Sequence, residues 1–202
     1  MVALERYDRD NPTFDGLSAR NAEARTRKVV DMCHGDVLDI GCGYGYLADF
    51  LKDKEDVKEY YGFDYGEEVI TMNKGRFTSN KINFKCVNIK EEKLFNIVPI
   101  APNVIICNEF IEHIEKEYQE EMLKQIKQQF DLQGFGKLIG TTPKQPKEGP
   151  NPAGNHYHVW EHTYNSMKEM LEQIFDKGYE IKMDVWFGNA TYFEVTKNGT
   201  DD

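Results

Sequence analysis

Residues Val37–Gly45 have the sequence VLDIGCGYG, and this stretch decides the fold of the chain. Its first four residues favour a short buried strand, and three glycines follow directly at alternate positions. Because glycine carries no Cβ, such a loop can turn sharply and bring its backbone N–H groups close to a ligand. The stretch therefore predicts a loop that holds a nucleotide-like molecule at the end of a strand.

The spacing of the glycines separates two kinds of cofactor loop. A dinucleotide-binding loop has a glycine three positions after its second glycine, but that position holds Tyr46. The pattern Asp-x-Gly-x-Gly-x-Gly, from Asp39 to Gly45, instead resembles the cofactor loop of the class I S-adenosylmethionine (SAM) methyltransferases. The resemblance implies SAM as the cofactor. It also implies a Rossmann-like seven-stranded α/β sheet, mostly parallel, with a C-terminal antiparallel hairpin and helices on both faces.

Length and composition limit the class of protein. The 202 residues, 40% of them hydrophobic, are enough for one well-filled core, so we expect a single domain over residues 1–202. No apolar run approaches the ~20 residues of a membrane span, and the N-terminus lacks the apolar core of a secretory signal. The four cysteines lie far apart, which favours reduced thiols. These features predict a soluble, cytoplasmic protein without membrane contact.

The charge of the chain bears on its partners. A formal net charge of −10 repels a phosphate backbone unless a local basic patch compensates for it. We therefore expect a small-molecule substrate, with nucleic acid disfavoured as a partner. The sequence leaves a monomer and a homodimer open.

Strands and helices alternate along the chain, which predicts a mostly parallel sheet. Residues 1–34 form an N-terminal cap segment with a helix over Ser18–Met32 that begins with a serine cap. A proline-rich substrate loop at residues 143–162 precedes a helix at Ser166–Lys177, which starts with a capping box. The strands after the first are expected at Glu59–Asp64, Ile82–Ile89, Asn103–Cys107 and Lys137–Thr142, and the closing hairpin at Ile181–Phe187 and Thr191–Thr196.

The methyltransferase resemblance implies roles for individual residues at the cofactor. Asp64 ends the second predicted strand, where a carboxylate can accept hydrogen bonds from both hydroxyls of a ribose. The family frequently has an aspartate at the position of Asn88 to hold the adenine amino group, and the side-chain carbonyl of Asn88 can accept the same bond. The implied cofactor-binding set is Asp39, Gly41, Cys42, Gly43, Gly45, Asp64, Tyr65, Asn88, Ile89 and Asn108.

Two polar clusters are expected beside the methyl group of the cofactor, because ligands of such sheets lie beyond the C-terminal ends of the strands. A helix from Asn108 would place Glu109, Glu112 and His113 on one face. A second cluster at residues 156–163 contains three of the five histidines. Together they offer a carboxylate-rich site with one or two imidazoles, suited to Mg²⁺ or Mn²⁺ and less well to Zn²⁺.

The motif Glu109-x-x-Glu112-His113, with a later histidine, resembles two branches of the family. One comprises the ubiquinone-biosynthesis O-methyltransferases, and the other the small-RNA 3′-terminal 2′-O-methyltransferases. The second resemblance implies Glu109, Glu112, His113 and His158 as metal ligands. Many class I methyltransferases carry a Glu-His pair without a metal, so a metal-free pocket stays open.

The predicted reaction is transfer of the SAM methyl group to an oxygen of a small molecule, with His113 or His158 as the base. His156 and His162 are expected instead at the surface or in packing. Three alternatives stay open: metal-dependent methylation of RNA 3′ ends, N-methylation, and a SAM-binding protein without turnover. The polar clusters favour turnover, because a pure binder would not need them.

Overall fold

The computed structural model describes residues 16–150 and 157–197, with side chains from residue 22 onward. Its strands are β1 (Gly35–Ile40), β2 (Val57–Asp64), β3 (Ile82–Cys86), β4 (Val104–Asn108), β5 (Gly136–Pro143), β6 (Tyr179–Trp186) and β7 (Ala190–Lys197). They form one sheet in the order β3-β2-β1-β4-β5-β7-β6. The first five strands pair in parallel, whereas β7 runs antiparallel to both β5 and β6. The predicted sheet and its closing hairpin are confirmed.

Helices cover both faces of this sheet. They are α1 (Gly16–Met32), α2 (Tyr46–Leu51), α3 (Glu67–Arg76), α4 (Lys116–Gln133) and α5 (Tyr164–Ile174). Adjacent residues of β4 therefore enter opposite cores, and the strand is apolar from Val104 to Cys107. Ile105 belongs to the core that contains Phe130 of α4, whereas Ile106 belongs to the core that contains Val29 of α1. Among the described residues, no helix is long and apolar enough to cross a membrane.

Two helices begin at other residues than predicted. The first, α1, already begins at Gly16, so Ser18 lies inside it and is not its cap. The last, α5, is capped by Thr163, whose hydroxyl accepts a hydrogen bond from the backbone N–H of Ser166 at 3.0 Å. The Ser166 hydroxyl in turn accepts from the N–H of Thr163 at 3.0 Å. The capping box expected to start at Ser166 was wrong, because Thr163 satisfies the first turn three residues earlier.

The helix predicted to start at Asn108 is also wrong. Asn108 is the last residue of β4 and pairs with Thr141 of β5, and the backbone N–H of Glu109 donates to the carbonyl of Thr141 at 2.8 Å. Glu109 then takes a left-handed backbone conformation with a φ of 51°, and a 3₁₀ turn follows at Ile111–His113 before α4 begins at Lys116. Pairing with the neighbouring strand keeps Asn108 extended and thereby overrides the local helical pattern.

Candidate active site

The glycine loop leaves β1 in a conformation that other residues rarely adopt. Gly41, Gly43 and Gly45 have φ values of 77°, 49° and 69°. The backbone N–H groups of Gly41 and Cys42 both donate to the carbonyl of Phe63, at 2.8 and 2.9 Å, which fastens the loop to β2. A Cβ on Gly43 would meet no atom within 4 Å, so this part of the loop faces open space. The loop thus leaves room where a ligand can approach its backbone.

Asp64 lies beside this loop at the C-terminal end of β2. Its carboxylate accepts the backbone N–H of Gly43 at 3.0 Å and the N–H of Gly66 at 2.9 Å, one on each oxygen. A carboxylate can accept about four hydrogen bonds, so both oxygens keep capacity for a further donor. Asp64 therefore has the place expected of a ribose-binding acid, next to the open face of the loop.

Asp39, the residue two positions before the first glycine, is buried beneath the loop. It is 2% exposed, and its carboxylate accepts a hydrogen bond from the hydroxyl of Tyr60 at 2.7 Å. Burial disfavours the charged carboxylate and raises the pKa of Asp39 to about 7, although the bond from Tyr60 opposes this shift. Asp39 thus joins β1 to β2 just before the glycine loop.

Two tyrosines close to the glycine loop and Asp64 in sequence are exposed. Tyr44 is 43% exposed and Tyr65, directly after Asp64, is 79% exposed.

Asn88 lies beyond the end of β3, which stops at Cys86 and not at the predicted Ile89. Its side-chain carbonyl accepts the backbone N–H of Lys90 at 3.2 Å. One acceptor position of Asn88 is therefore engaged within its own turn.

The end of β4 presents a second set of polar groups. The hydroxyl of Thr141 lies 2.7 Å from the side-chain oxygen of Asn108 and 2.8 Å from Oε1 of Glu109. The other carboxylate oxygen of Glu109 forms an ion pair with Nη2 of Arg25, at 3.3 Å. Arg25 belongs to α1, so this contact joins the cap segment to the end of the central strand.

Glu112 is a buried acid in the 3₁₀ turn that follows. It is 1% exposed, and its Oε2 accepts a hydrogen bond from the hydroxyl of Thr142 at 3.1 Å. Burial raises the pKa of Glu112 well above its usual value, and the negative charge of Glu109 adds to the increase. The backbone carbonyl of Glu112 accepts N–H groups of Val159 and Trp160 at 2.8 and 3.2 Å, so the two predicted clusters meet here.

The two predicted catalytic histidines lie together at this junction. Nδ1 of His113 is 2.8 Å from the backbone carbonyl of Tyr157, and Nδ1 of His158 bonds the carboxylate of Glu161. Because a backbone carbonyl only accepts, Nδ1 of His113 carries the hydrogen and Nε2 of the neutral His113 ring keeps its lone pair. The rings are perpendicular with centroids 5.0 Å apart. Burial lowers the pKa of His113 and favours this neutral form.

Three of the four predicted metal ligands are close enough to share an ion. One ligand atom each from Glu112, His113 and His158 lies within 4.8 Å of the others. Glu109, the fourth, holds its carboxylate toward Arg25 and Thr141. The described residues thus place a carboxylate and two imidazoles at one point, next to an acid that is engaged elsewhere.

Known proteins are similar to this chain in sequence. The family described as a methyltransferase domain matches residues 38–131. A probable S-adenosylmethionine-dependent methyltransferase of Mycolicibacterium smegmatis is 26% identical over 180 residues, which are 84% of this chain and 64% of that protein. In sequence and in fold the chain is thus similar to SAM-dependent methyltransferases. A malonyl-[acyl-carrier protein] O-methyltransferase of Acetivibrio thermocellus is 34% identical over 59 residues, 29% of this chain and 21% of that protein. This chain therefore spans less than two thirds of the length of both curated relatives.

Solved structures share the fold of this chain over most of its length. The DhpI complex with S-adenosylhomocysteine (SAH) has a TM-score of 0.68 at 16% identity, covering 98% of this chain and 93% of that one. The plantazolicin methyltransferase BamL, solved with a triazolic desmethylplantazolicin analogue and SAH, has a TM-score of 0.70 at 13% identity and covers 98% and 90%. At these identities the likeness concerns the fold alone.

Sequence reasoning missed residues that hold the candidate site in shape. Asn73 of α3 is 1% exposed and donates to the carbonyl of Gly43 at 2.7 Å. Gln119 of α4 is fully buried, and its amide nitrogen lies 2.8, 3.0 and 3.2 Å from the backbone carbonyls of Ile111, Ile114 and Trp160. For Gln119 the available signal was a polar residue among apolar ones at helical spacing, whereas no local pattern pointed to Asn73.

His162 completes the network around Gln119. It is 1% exposed, and its Nε2 lies 2.6 Å from the side-chain oxygen of Gln119. The prediction that His162 serves packing is confirmed, whereas His156 lies outside the described residues. Burial lowers the pKa of His162 to about 4. The neutral imidazole therefore links the second cluster to α4 at ordinary pH.

Proposed function

We propose that this protein transfers the methyl group of SAM to an oxygen of a small molecule. The observation that carries the proposal is the position of two imidazoles, His113 and His158, near the end of β4, one strand away from the open glycine loop of β1. In a sheet of this kind the ends of adjacent parallel strands border one crevice, so a cofactor on the loop has its reactive end near β4. Similar solved structures contain SAH or SAM, which supports the same cofactor here.

The cofactor would lie along the C-terminal edge of β1, β2 and β4. Asp64 would accept the ribose hydroxyls, while the backbone around Gly43 would contact the rest of the nucleoside. Tyr65, Asn88 and Ile89 would border the adenine. The remaining residues proposed to line the cofactor are Asp39, Gly41, Cys42, Gly45 and Asn108.

In the proposed reaction a substrate oxygen attacks the methyl carbon of SAM in line with the departing sulfur. The O–C bond forms as the S–C bond breaks, and SAH leaves as a neutral thioether. A hydroxyl acceptor also gives up its proton, and the unprotonated Nε2 of His113 or His158 would take it. Each ring is fixed through its Nδ1, so the base would already be oriented before the substrate binds.

A divalent ion is a second candidate at the same place, because the donor set of Glu112, His113 and His158 suits one. The Nδ1 contacts of both histidines are of the kind that commonly orient metal-binding imidazoles. Such an ion would lower the pKa of a bound hydroxyl. Mg²⁺ and Mn²⁺ are the proposed ions, with Zn²⁺ the less suited one, and Glu109 would have to leave Arg25 to become a fourth ligand.

A small-molecule acceptor agrees with the formal charge of −10 and with the names of related proteins. One relative is an O-methyltransferase of malonyl-[acyl-carrier protein], and two structural neighbours are plantazolicin methyltransferases. Methylation of RNA 3′ ends needs a bound metal and a basic surface, so a metal titration and a salt-dependent RNA-binding assay test that alternative.

Calorimetric titration with SAM and SAH tests the proposed cofactor site. Asp64→Ala removes the proposed ribose acceptor, so we expect both ligands to bind at least about tenfold more weakly, the loss of one or two charge-assisted hydrogen bonds. Asp53→Ala, at an exposed acid, is the matched control and should bind normally. Absence of SAM binding to the wild type would refute the proposal. SAM binding without SAH release in the presence of candidate alcohols and acids would support a binder without turnover.

A further inference from the structure

Arg25 is a largely buried cation whose hydrogen-bonding capacity is hardly used. Its side chain is 11% exposed and makes one ion pair, from Nη2 to Oε2 of Glu109, at 3.3 Å. Its Nε is buried and has no hydrogen-bond partner among the described residues. A guanidinium offers five N–H donors, and leaving buried donors unpaired costs free energy. The described residues therefore satisfy only part of the hydrogen-bonding capacity of Arg25.

The unused donor lies on the side of the guanidinium best suited to an oxyanion. Nε and one N–H of Nη2 point in the same direction and can bind two oxygens of a carboxylate or phosphonate side by side. Glu109 does not fill this edge, because its Oε2 reaches only Nη2 while its Oε1 is held by Thr141 at 2.8 Å. Arg25 therefore retains an edge for a second anion.

This edge lies at the proposed acceptor side of the site. Glu109 is the residue directly after β4, and its charge acts on both Glu112 and His113. The other described cations of α1 are engaged away from it. Arg27 is 61% exposed and pairs with Glu23, and Lys28 lies over the ring of Trp186. Among the described cations of α1, Arg25 is thus the one directed toward the polar groups after β4.

We infer that Arg25 binds an anionic oxygen group of the substrate, so that the methyl acceptor is a small acid carrying a carboxylate, phosphate or phosphonate. This inference rests on the proposed methyltransferase function and adds the class of substrate to it. The incoming oxyanion binds both Nε and Nη2 and so displaces Glu109 from Nη2. Until then, Glu109 holds the guanidinium in place. A rival explanation is that the ion pair only fastens α1 to the sheet.

The two explanations predict different effects of the variants on the affinity for charged and for neutral ligands. Benzoate and phenylphosphonate serve as oxyanion probes and benzamide as their neutral counterpart, titrated into the full chain with and without SAH by ligand-observed NMR. In Arg25→Gln we expect both oxyanions to bind about tenfold more weakly, the loss of one charged hydrogen bond, with benzamide unchanged. Arg25→Lys should retain part of the affinity. Glu109→Gln should bind the oxyanions more tightly, because the competing carboxylate is gone.

Arg27→Gln is the matched control, because it removes an arginine of the same helix that is exposed and pairs elsewhere. Its oxyanion affinity should stay within about twofold of the wild type, and thermal unfolding of every variant checks that it is folded. Failure of both oxyanions to bind the wild type would overturn the inference, as would equal losses for oxyanions and benzamide in Arg25→Gln. SAH titration of the same samples separates the two claims: SAH binding without oxyanion binding refutes this inference alone, whereas absence of SAH binding refutes the proposed function.

Discussion

The imidazole of His113 donates through Nδ1 to the backbone carbonyl of Tyr157, at 2.8 Å, across 44 positions of the sequence. This bond fixes the ring tautomer and also joins the turn after β4 to the loop before α5. The other histidine, His158, is fixed in the same way by Glu161. Two loops that carry the proposed chemistry are therefore held as one unit before any ligand binds, which is the condition for efficient positioning of an acceptor.

Removing either imidazole should reduce methyl transfer more than cofactor binding. His113→Gln and His158→Gln keep a side chain of similar polarity but remove the basic nitrogen, and loss of a general base costs about 10²- to 10⁴-fold in rate. Single-turnover formation of SAH measures the rate, and calorimetry measures SAM affinity. His34→Gln, at an exposed histidine, should leave both unchanged. Full activity of both active-site variants would exclude either ring as the base.

Gln119 should contribute to stability far beyond one ordinary hydrogen bond. Gln119→Met has nearly the same volume, but it removes the side-chain donor to the buried carbonyl of Ile114 and the acceptor for Nε2 of His162. We expect the free energy of unfolding to fall by about 2 to 4 kcal/mol in urea titrations, since each unsatisfied buried group costs about 1 to 3 kcal/mol. Gln128→Met, on the exposed face of the same helix, should change it by less than about 0.5 kcal/mol. Equal effects would show that the network around Gln119 carries no special weight.

The local pattern of the sequence was sufficient for the sheet but not for the site. The glycine loop, Asp64 and the closing hairpin follow from strand periodicity and spacing, and the structure has each of them where predicted. The turn at Glu109 was wrongly predicted to be a helix. Two acids and a histidine at i, i+3 and i+4 are compatible with a helix and also with a turn, so their spacing does not distinguish the two. The turn forms instead because Asn108 pairs with Thr141, 33 residues away.

The residues that sequence reasoning missed have their partners far along the chain. Arg25 contacts Glu109 across 84 positions, Gln119 contacts His162 across 43, and Asn73 contacts Gly43 across 30. No local periodicity encodes such contacts, because they depend on how elements pack. A polar residue on an otherwise apolar helix face indicates that a partner exists, but it does not identify that partner.

The lowered pKa of His162 predicts that the protein loses stability in mild acid. Its pKa is lowered from 6.5 to about 4 by burial, so the folded state binds fewer protons than the unfolded state between these values. The stability it contributes is fully present above pH 6.5 and is lost as the pH falls through 4, on the order of 3 kcal/mol in total. Urea unfolding from pH 7 to pH 4 measures this slope. His162→Gln should have a shallower slope, and an unchanged slope would contradict the assignment.

The raised pKa of Asp39 predicts that stability depends on pH in the opposite direction. Its pKa is raised from 3.8 to about 7, so the folded state holds the proton more tightly. The stability it contributes is largest below pH 3.8 and is lost as the pH rises to about 7. Asp39→Asn keeps an acceptor for Tyr60 without the charge, and should therefore be more stable than the wild type at pH 8 by roughly 2 to 4 kcal/mol. Its advantage should shrink at pH 4, whereas exposed Asp53→Asn should have none.

Two glycines of the cofactor loop should respond differently to the same substitution. In Gly41→Ala the new Cβ would lie 2.1 Å from the ring of Phe110, so the loop has to move and the protein should lose stability. In Gly43→Ala the Cβ would meet no protein atom within 4 Å, and only the left-handed backbone, with a φ of 49°, opposes it, at about 1 kcal/mol. The folded protein therefore tolerates Gly43→Ala better.

Cofactor affinity should separate the two variants further. If the open space at Gly43 is where SAM lies, the added methyl group of Gly43→Ala occupies it, and SAM should bind at least about tenfold more weakly while the protein stays folded. Thermal unfolding and SAM calorimetry on both variants measure the two effects independently. Normal SAM affinity in a folded Gly43→Ala protein would mean that the cofactor does not approach this part of the loop, and the proposed site would have to be moved.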